Sequence, residues 1–117
     1  MIGAIVGDIV GSIYEFSNHK DKDFEFYGKG CTFTDDTVCT VAIADFYLDA
    51  MDKGIVNEKR VLQSLSKWYH LYPNLSYGSG FRKWVSGITM DNIKTYPYNN
   101  SYGNGAAMRI SPIGDIF

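Results

Sequence analysis

The sequence predicts a single all-α domain, and three observations carry this prediction. Apolar residues recur at helical spacing along three long segments. Helix-ending residues follow two of these segments, namely Asp52-Lys53-Gly54 and Pro73. Two glycine-containing turns precede short helix-like pieces. We therefore expect helices near residues 2–14, 34–52, 57–71 and 79–87, and a shorter one that begins near Gly103.

Length and composition limit the classes of function. The 117 residues allow one domain with a modest core, and a hydrophobic fraction of 45% is typical of a globular chain. A net charge of −2 gives no polyanion-binding surface, so we expect no nucleic-acid partner. Cys31 and Cys39 have neither metal-ligand spacing nor the pattern of a disulfide framework, which predicts a reducing, cytoplasmic location.

The first predicted helix is apolar, but Asp8 lies in its middle and no basic residue precedes it. It is too short to span a bilayer or to act as a signal peptide, so no membrane partner is expected. Gly3, Gly7 and Gly11 recur every four residues and form one smooth stripe. Each glycine lowers helix stability by about 1 kcal/mol relative to alanine. The stripe therefore predicts close packing against another helix.

A second face of the same helix is polar. Asp8, Ser12 and Glu15 follow an i, i+4, i+7 pattern and lie on one side. An unpaired buried charge is costly, so these acids must reach solvent, a partner group or a metal ion.

The second helix begins in the segment Phe33-Thr34-Asp35-Asp36-Thr37. One interpretation is an N-terminal cap, in which Thr34 bonds backbone N–H groups and the acids favour the positive end of the helix dipole. A cap needs one hydroxyl and at most one acid. Two adjacent carboxylates beside a second hydroxyl also fit a hard cation with oxygen ligands, such as Mg²⁺.

The third helix, from Asn57, carries an apolar stripe with charged residues on its other face, and two similar turns follow it. One turn spans residues 76–80 and the other spans residues 101–105. Glycine lets backbone N–H groups approach an anion closely, although a single Gly-x-Gly is usually only a turn. Two such turns in a chain with clustered acids favour a phosphate-bearing ligand beside a cation.

Three separated motifs, in order and in register, resemble the ADP-ribosylglycohydrolases, including the dinitrogenase-reductase-activating glycohydrolase and the ADP-ribosyl-acceptor hydrolases. The first joins Gly7-Asp8 to the Gly11–Glu15 segment, and the second is the 33–37 segment. The third runs from Ser101 to Arg109, with a proline and a glycine shortly after it. The resemblance covers essentially the whole chain.

The resemblance implies orthogonally packed helices around a cleft that holds two Mg²⁺ or Mn²⁺ ions. Such enzymes hydrolyse the glycosidic bond between ADP-ribose and a protein side chain or another ADP-ribose unit, so ADP-ribose or an ADP-ribosylated protein is the implied partner. The resemblance assigns metal ligation to Thr34, Asp35 and Asp36, and catalytic roles to Glu15 and Asp36. It assigns the diphosphate and its ribose to Ser101, Tyr102, Gly103, Asn104 and Gly105, and the adenosine side to Gly78, Ser79 and Gly80.

One departure from the family pattern concerns the second metal motif. Family members carry an Asp-x-Asp-Thr/Ser cluster towards their C-terminus, and this chain has none before its apolar last residues, 110–117. We therefore expect residues 1–117 to be an N-terminal portion of the family fold, with weak metal binding and an inactive isolated chain. Three alternatives follow: an enzyme completed by a C-terminal chain, a non-catalytic module that binds ADP-ribose, or a self-associating remnant. A homodimer or a complementing chain is the expected assembly.

Overall fold

The computed structural model describes residues 1–116, and six α-helices joined by turns and loops make up this part of the chain. No β-strand is formed within these residues, so the all-α prediction is confirmed. None of their helices combines the length and the hydropathy needed to cross a bilayer. The helices are α1 Ile2–Gly11, α2 Asp35–Lys53, α3 Glu58–Leu71, α4 Ser79–Ser86, α5 Gly105–Met108 and α6 Ser111–Ile116, and a 3₁₀ turn at Ser12–Tyr14 continues α1.

Helix α2 is the central element, since it packs against α1, α3, α5 and α6. The hydroxyl of Thr34 caps its first turn by accepting a hydrogen bond from the N–H of Asp36 at 3.3 Å. Gly54 ends the helix in the left-handed conformation, with φ 64°, and its N–H donates to the carbonyl of Ala50. The buried apolar side chains of α2 recur every three or four residues, which turns one face to the core: Val38, Cys39, Ala42, Ile43, Phe46 and Ala50.

Helix α3 lies between α2 and α4. The side chain of Asn57 caps it by accepting a hydrogen bond from the N–H of Lys59 at 2.8 Å. Leu65 and Tyr69 face the core from this helix. The cap and the apolar stripe explain why the predicted range, 57–71, agrees closely with the observed one.

A polar contact at the surface also joins α2 to α3. The carboxylate of Asp45 accepts hydrogen bonds from Lys67 Nζ at 2.7 Å and from Trp68 Nε1 at 2.9 Å. The hydroxyl of Ser64 lies 3.5 Å from the same carboxylate. These donors lower the pKa of Asp45, with the Lys67 hydrogen bond as the largest cause.

A chain of aromatic rings extends the core from α3 to the segment after α4. Tyr69 contacts Tyr77 with ring centroids 5.1 Å apart, and Tyr77 stacks on Phe81 at 5.8 Å. Phe81 then contacts Trp84 at 5.8 Å, and Trp84 contacts Tyr96 at 6.0 Å. This aromatic chain holds the segment around Tyr96 against α4 and so fixes one wall of the larger cavity described below.

The expected packing of the α1 glycine stripe is wrong for the described residues. A methyl group placed on Gly3, Gly7 or Gly11 would meet nothing within 4 Å. Helix α1 instead contacts α2 through neighbouring positions, with Val10 buried and Asp8 hydrogen-bonded to the start of α2. Those hydrogen bonds set the rotation of α1, and its glycine stripe makes no close contact with another helix.

Helix α6 was not predicted, because Pro112 and Gly114 are both poor residues for a helix interior. Proline is tolerated in the first turn, where its missing N–H has no intrahelical partner. Pro112 is buried, and Ile113 packs against the core beside α2. Part of the apolar run at residues 110–117 is therefore covered by the chain itself, while Ile110 remains exposed and Phe117 lies outside the described residues.

Candidate functional site

An acidic cleft of about 500 Å³ lies where α1 meets the first turn of α2. Its walls come from four parts of the chain: α1 with its 3₁₀ extension, the start of α2, the 76–78 segment and the 104–108 segment. It collects the acids and hydroxyls that the sequence analysis singled out, together with Ser76. Its lining residues are Gly7, Asp8, Gly11, Ser12, Glu15, Thr34, Asp35, Asp36, Ser76, Gly78, Asn104 and Met108.

Asp8 uses its carboxylate to join α1 to α2. It accepts hydrogen bonds from the backbone N–H of Thr34 at 2.8 Å and of Thr37 at 3.1 Å. It also accepts from the hydroxyls of the same two threonines, at 2.6 Å and 2.5 Å. Four donors satisfy this carboxylate within the chain. Of the three alternatives left open for Asp8, the structure therefore favours a partner group.

The hydroxyl of Thr34 is used twice and retains one acceptor position. It donates to Asp8 and accepts from the N–H of Asp36. A hydroxyl has one proton and two lone pairs, so one lone pair is left for a further contact. The capping and metal-ligand interpretations of Thr34 are therefore compatible in this geometry.

Ser76 connects two acids that are far apart in the sequence. Its hydroxyl lies 2.9 Å from Asp35 Oδ1 and 3.3 Å from Glu15 Oε2. A single hydroxyl proton can donate fully to only one of them at a time. This contact brings Glu15 into the cleft with Asp35. Nothing in the sequence pattern singled out Ser76 for this role.

The ionised form of the Asp36 carboxyl is destabilised by its surroundings in the cleft. Burial, followed by the negative charges of Asp35, Asp8 and Glu15, raises the pKa of its carboxyl to about 6, while the positive charge of Arg109 opposes the rise. The Asp36 carboxylate accepts no hydrogen bond from any described side chain or backbone group. A bound cation would relieve this repulsion.

The donor set fits part of a hard-cation site. Asp35, Asp36 and the free lone pair of Thr34 supply oxygen ligands only, which suits Mg²⁺ or Mn²⁺. Within residues 1–116, however, no three His, Cys, Asp or Glu side chains converge closely enough to hold an ion by themselves. Cys39 is no thiolate ligand at neutral pH, because burial raises the pKa of its thiol to about 11. The site fits an oxygen-preferring cation but needs further ligands.

A larger cavity of about 1130 Å³ adjoins the acidic cleft. Both predicted anion-binding turns contribute to it: Gly78, Ser79 and Gly80 from the first, and Ser101, Gly103, Asn104 and Gly105 from the second. The aromatic side chains of Phe81, Trp84 and Tyr96 also line it. Four residues line both spaces, namely Asp35, Gly78, Asn104 and Met108. The two spaces therefore share a border at the start of α2.

The second turn keeps some of its hydrogen-bonding groups free. The N–H of Gly103 bonds to Ser101 Oγ at 3.1 Å, which fixes the turn locally. In the described part of the chain, the N–H groups of Asn104 and Gly105 have no hydrogen-bond partner. Tyr102 is fully exposed, and its side chain lines neither space.

The first turn begins α4, with Gly78 in the N-cap position. Directly before it, Tyr77 is buried, and its hydroxyl has no hydrogen-bond partner among the described residues. Burial raises the pKa of this phenol well above its usual range. The hydroxyl therefore stays protonated.

Arg109 was not among the sequence-predicted site residues, yet it lines the larger cavity beside the second turn. Its guanidinium carbon lies 4.9 Å from the centre of the Phe81 ring. The one available signal was its place at the end of the third motif.

The chain matches the ADP-ribosylglycohydrolase family over residues 1–117. It belongs to that family. Among curated proteins, ADP-ribosylhydrolase ARH3 of Xenopus tropicalis is 28% identical over 129 aligned residues, which cover 94% of this chain and 36% of the relative. The chain thus spans about a third of the length of this family relative. No solved structure gives a significant match.

Family membership confirms the resemblance on which the site residues were assigned. The structure brings Glu15, Thr34, Asp35 and Asp36 to one cleft. It brings both glycine turns to one adjoining cavity, apart from the exposed side chain of Tyr102. The roles of these residues in ligation and catalysis stay predictions.

Proposed function

We propose that residues 1–116 form the cation-binding and diphosphate-binding part of an ADP-ribosylglycohydrolase site. The observation that carries this proposal is the shared border of the two spaces. Asp35 and Asn104 line both the acidic cleft and the cavity that contains the glycine turns. A ligand with a ribose at the border would therefore reach oxygen donors on one side and free backbone N–H groups on the other.

Thr34, Asp35 and Asp36 would hold the cation, Mg²⁺ or Mn²⁺, at the mouth of the acidic cleft. A bound cation would orient ribose hydroxyls and activate a water molecule. Ser76 holds Glu15 towards Asp35, so Glu15 is positioned to accept or donate a proton beside the reacting sugar. Asp36, with its pKa near 6, can exchange a proton near neutral pH while no cation neutralises it.

Substrate binding falls to the two turns. The free N–H groups of Asn104 and Gly105 would donate to the diphosphate oxygens, and the Ser101 hydroxyl can donate while it accepts from Gly103. Gly78, Ser79 and Gly80 would face the adenosine side. Tyr102 would contact the ligand only if its side chain turns inwards from its exposed position.

A non-catalytic, ADP-ribose-binding module is the second candidate for the isolated chain. The absence of a third convergent acid among residues 1–116 favours it. An octahedral Mg²⁺ needs about six oxygen ligands, more than these residues supply without water or a further segment. A complementing chain or a second copy would supply the missing ligands in the enzyme alternative.

The proposal is tested by placing a negative charge at the border of the two spaces. Asn104→Asp should weaken ADP-ribose binding at least tenfold, measured by isothermal titration calorimetry, because the new carboxylate repels the diphosphate. Asn100→Asp makes the same change of charge four residues earlier, at an exposed residue that lines neither space. It should change the affinity less than twofold. Equal effects of the two variants would remove the turn from the binding site.

A further inference from the structure

Arg109 is the one described arginine whose guanidinium has neither a hydrogen bond nor an ion pair within residues 1–116. Its Nε is buried and has no partner. Arg82 offers a direct comparison, since its guanidinium also lies over an aromatic ring, 5.6 Å from the centre of Tyr77. Arg82, however, donates to the carbonyls of Pro73 at 2.6 Å and Leu75 at 2.7 Å. Arg82 is therefore held by the protein, whereas Arg109 keeps its donors unused.

Unused donors on a partly buried guanidinium need an acceptor. Leaving a buried charged donor without a hydrogen bond lowers the free energy of unfolding more than leaving a neutral donor unpaired. The Phe81 ring supports the face of the guanidinium but accepts no hydrogen bond in the plane of its N–H groups. The in-plane donors remain free for a group in the cavity that Arg109 lines.

The guanidinium lies directly behind the second turn. A methyl group added to Gly105 would collide with Arg109 Nη2, so the missing side chain at position 105 leaves room for the guanidinium. Ser101, Asn104 and Gly105 line the same cavity. The charge of Arg109 therefore stands beside the free N–H groups of the turn.

The positive charge of Arg109 has no acidic side chain as its partner. The guanidinium is close enough to Asp36 to oppose the rise of its pKa. Nevertheless, it forms no ion pair with Asp36 or with any other acid in residues 1–116. Its charge is thus near enough to affect Asp36 and lies beside Gly105 of the turn, but no acidic side chain in residues 1–116 neutralises it.

We propose that Arg109 binds the diphosphate of the ligand through its free in-plane N–H groups, with Phe81 fixing the plane of the guanidinium. This inference rests on the proposed function and adds a side-chain cation to the backbone donors of the turn. A guanidinium matches two phosphate oxygens at once, which a lysine ammonium does not. Arg109 would therefore determine affinity for the diphosphate rather than for the nucleoside.

The test compares ADP-ribose with adenosine, which lacks the diphosphate, by calorimetry on the 117-residue chain. Arg109→Gln should weaken ADP-ribose binding at least tenfold, or about 1.4 kcal/mol, and change adenosine binding less than twofold. Arg109→Lys keeps the positive charge beside Phe81 and replaces the Gln variant in the test if that variant is unstable. It should weaken ADP-ribose binding at least threefold. Lys83→Gln removes an exposed positive charge that lines neither space and should change neither affinity more than twofold.

Two results would overturn the inference. One is an equal loss of ADP-ribose and adenosine affinity in the Arg109→Lys variant, which would mean a packing role only. The other is unchanged ADP-ribose affinity in the Gln variant, which would mean that another segment or chain occupies the guanidinium. If Asn104→Asp still weakens ADP-ribose binding at least tenfold in that case, the proposed function stands without this inference. If wild-type chain binds no ADP-ribose, both fall.

Discussion

Replacing Asp36 with asparagine should stabilise the chain in the absence of metal and abolish its response to metal. The pKa of Asp36 rises from its ordinary value of 3.8 to about 6, mainly through burial and the nearby acids. At about 1.4 kcal/mol for each pKa unit, ionisation costs the fold at most about 3 kcal/mol. The carboxyl is partly exposed, so solvent screening reduces this to about 1 kcal/mol. Asp36→Asn removes that cost.

The pH dependence follows from the direction of the shift. The folded chain holds the Asp36 proton more tightly than the unfolded chain, so wild-type stability falls as pH rises between about 4 and 6. The Asn variant lacks this term. Its advantage should be absent at pH 4 and complete above pH 6, where we expect a melting temperature about 4 °C higher in EDTA.

Differential scanning fluorimetry in EDTA and in MgCl₂ measures both effects. At a Mg²⁺ concentration ten times the dissociation constant, wild-type chain should gain about 1.4 kcal/mol, whereas Asp36→Asn should gain almost nothing. Asp52→Asn is the matched control, because Asp52 is an exposed acid in the last turn of the same helix. A variant that melts no higher than wild type in EDTA at pH 7.5 would refute the electrostatic argument, and a full response to Mg²⁺ would remove Asp36 from the cation site.

Three further outcomes are expected. Asp45→Asn should lower stability at pH 7 by about 1 kcal/mol, because it loses the ionic part of the contact with Lys67. Because the pKa of Asp45 is lowered in the folded chain, this contribution is present above about pH 4 and is lost as pH falls through the folded pKa. The unfolding free energies of wild type and Asp45→Asn, measured with urea, should therefore converge at pH 3. A constant difference between them would contradict the assignment. Gly3→Ala should raise stability by about 0.5–1 kcal/mol, since the added methyl group meets nothing within 4 Å, and a lower melting temperature would mean that the stripe is packed in solution. The purified chain should release negligible ADP-ribose from an ADP-ribosylated protein, and turnover at a rate typical of a complete enzyme would show that residues 1–117 contain every necessary ligand.

Local signals accounted for most of the fold. Thr34, Gly54 and Asn57 each determine a helix end through their own hydrogen bonds or backbone conformation, so the ends of α2 and α3 could be predicted within about one residue. Helix α6 could not be predicted, because the low helix propensity of Pro112 and Gly114 is overcome by packing against α2. The glycine stripe was misinterpreted because the rotation of α1 depends on hydrogen bonds that Asp8 accepts from residues 26 and 29 positions later.

The candidate site likewise contains residues that the sequence alone identifies and residues that only the tertiary contacts identify. Thr34, Asp35 and Asp36 are neighbours in the sequence and could be grouped by inspection. Ser76 reaches Glu15 across 61 positions of sequence, and no spacing rule connects them. The unused donors of Arg109 are apparent only when the partners of every buried polar atom are known. Tertiary contacts, rather than residue type, give these two residues their importance.

If the acidic cleft and the adjoining cavity act as one site, the binding of a cation and the binding of ADP-ribose must depend on each other. ADP-ribose should be titrated into the chain by calorimetry, once in EDTA and once in saturating MgCl₂. ADP-ribose should bind at least fivefold more tightly with Mg²⁺, which is about 1 kcal/mol of coupling, and Asp36→Asn should show no coupling. Identical dissociation constants in EDTA and Mg²⁺ would contradict it, because two ligands that share a border must affect each other.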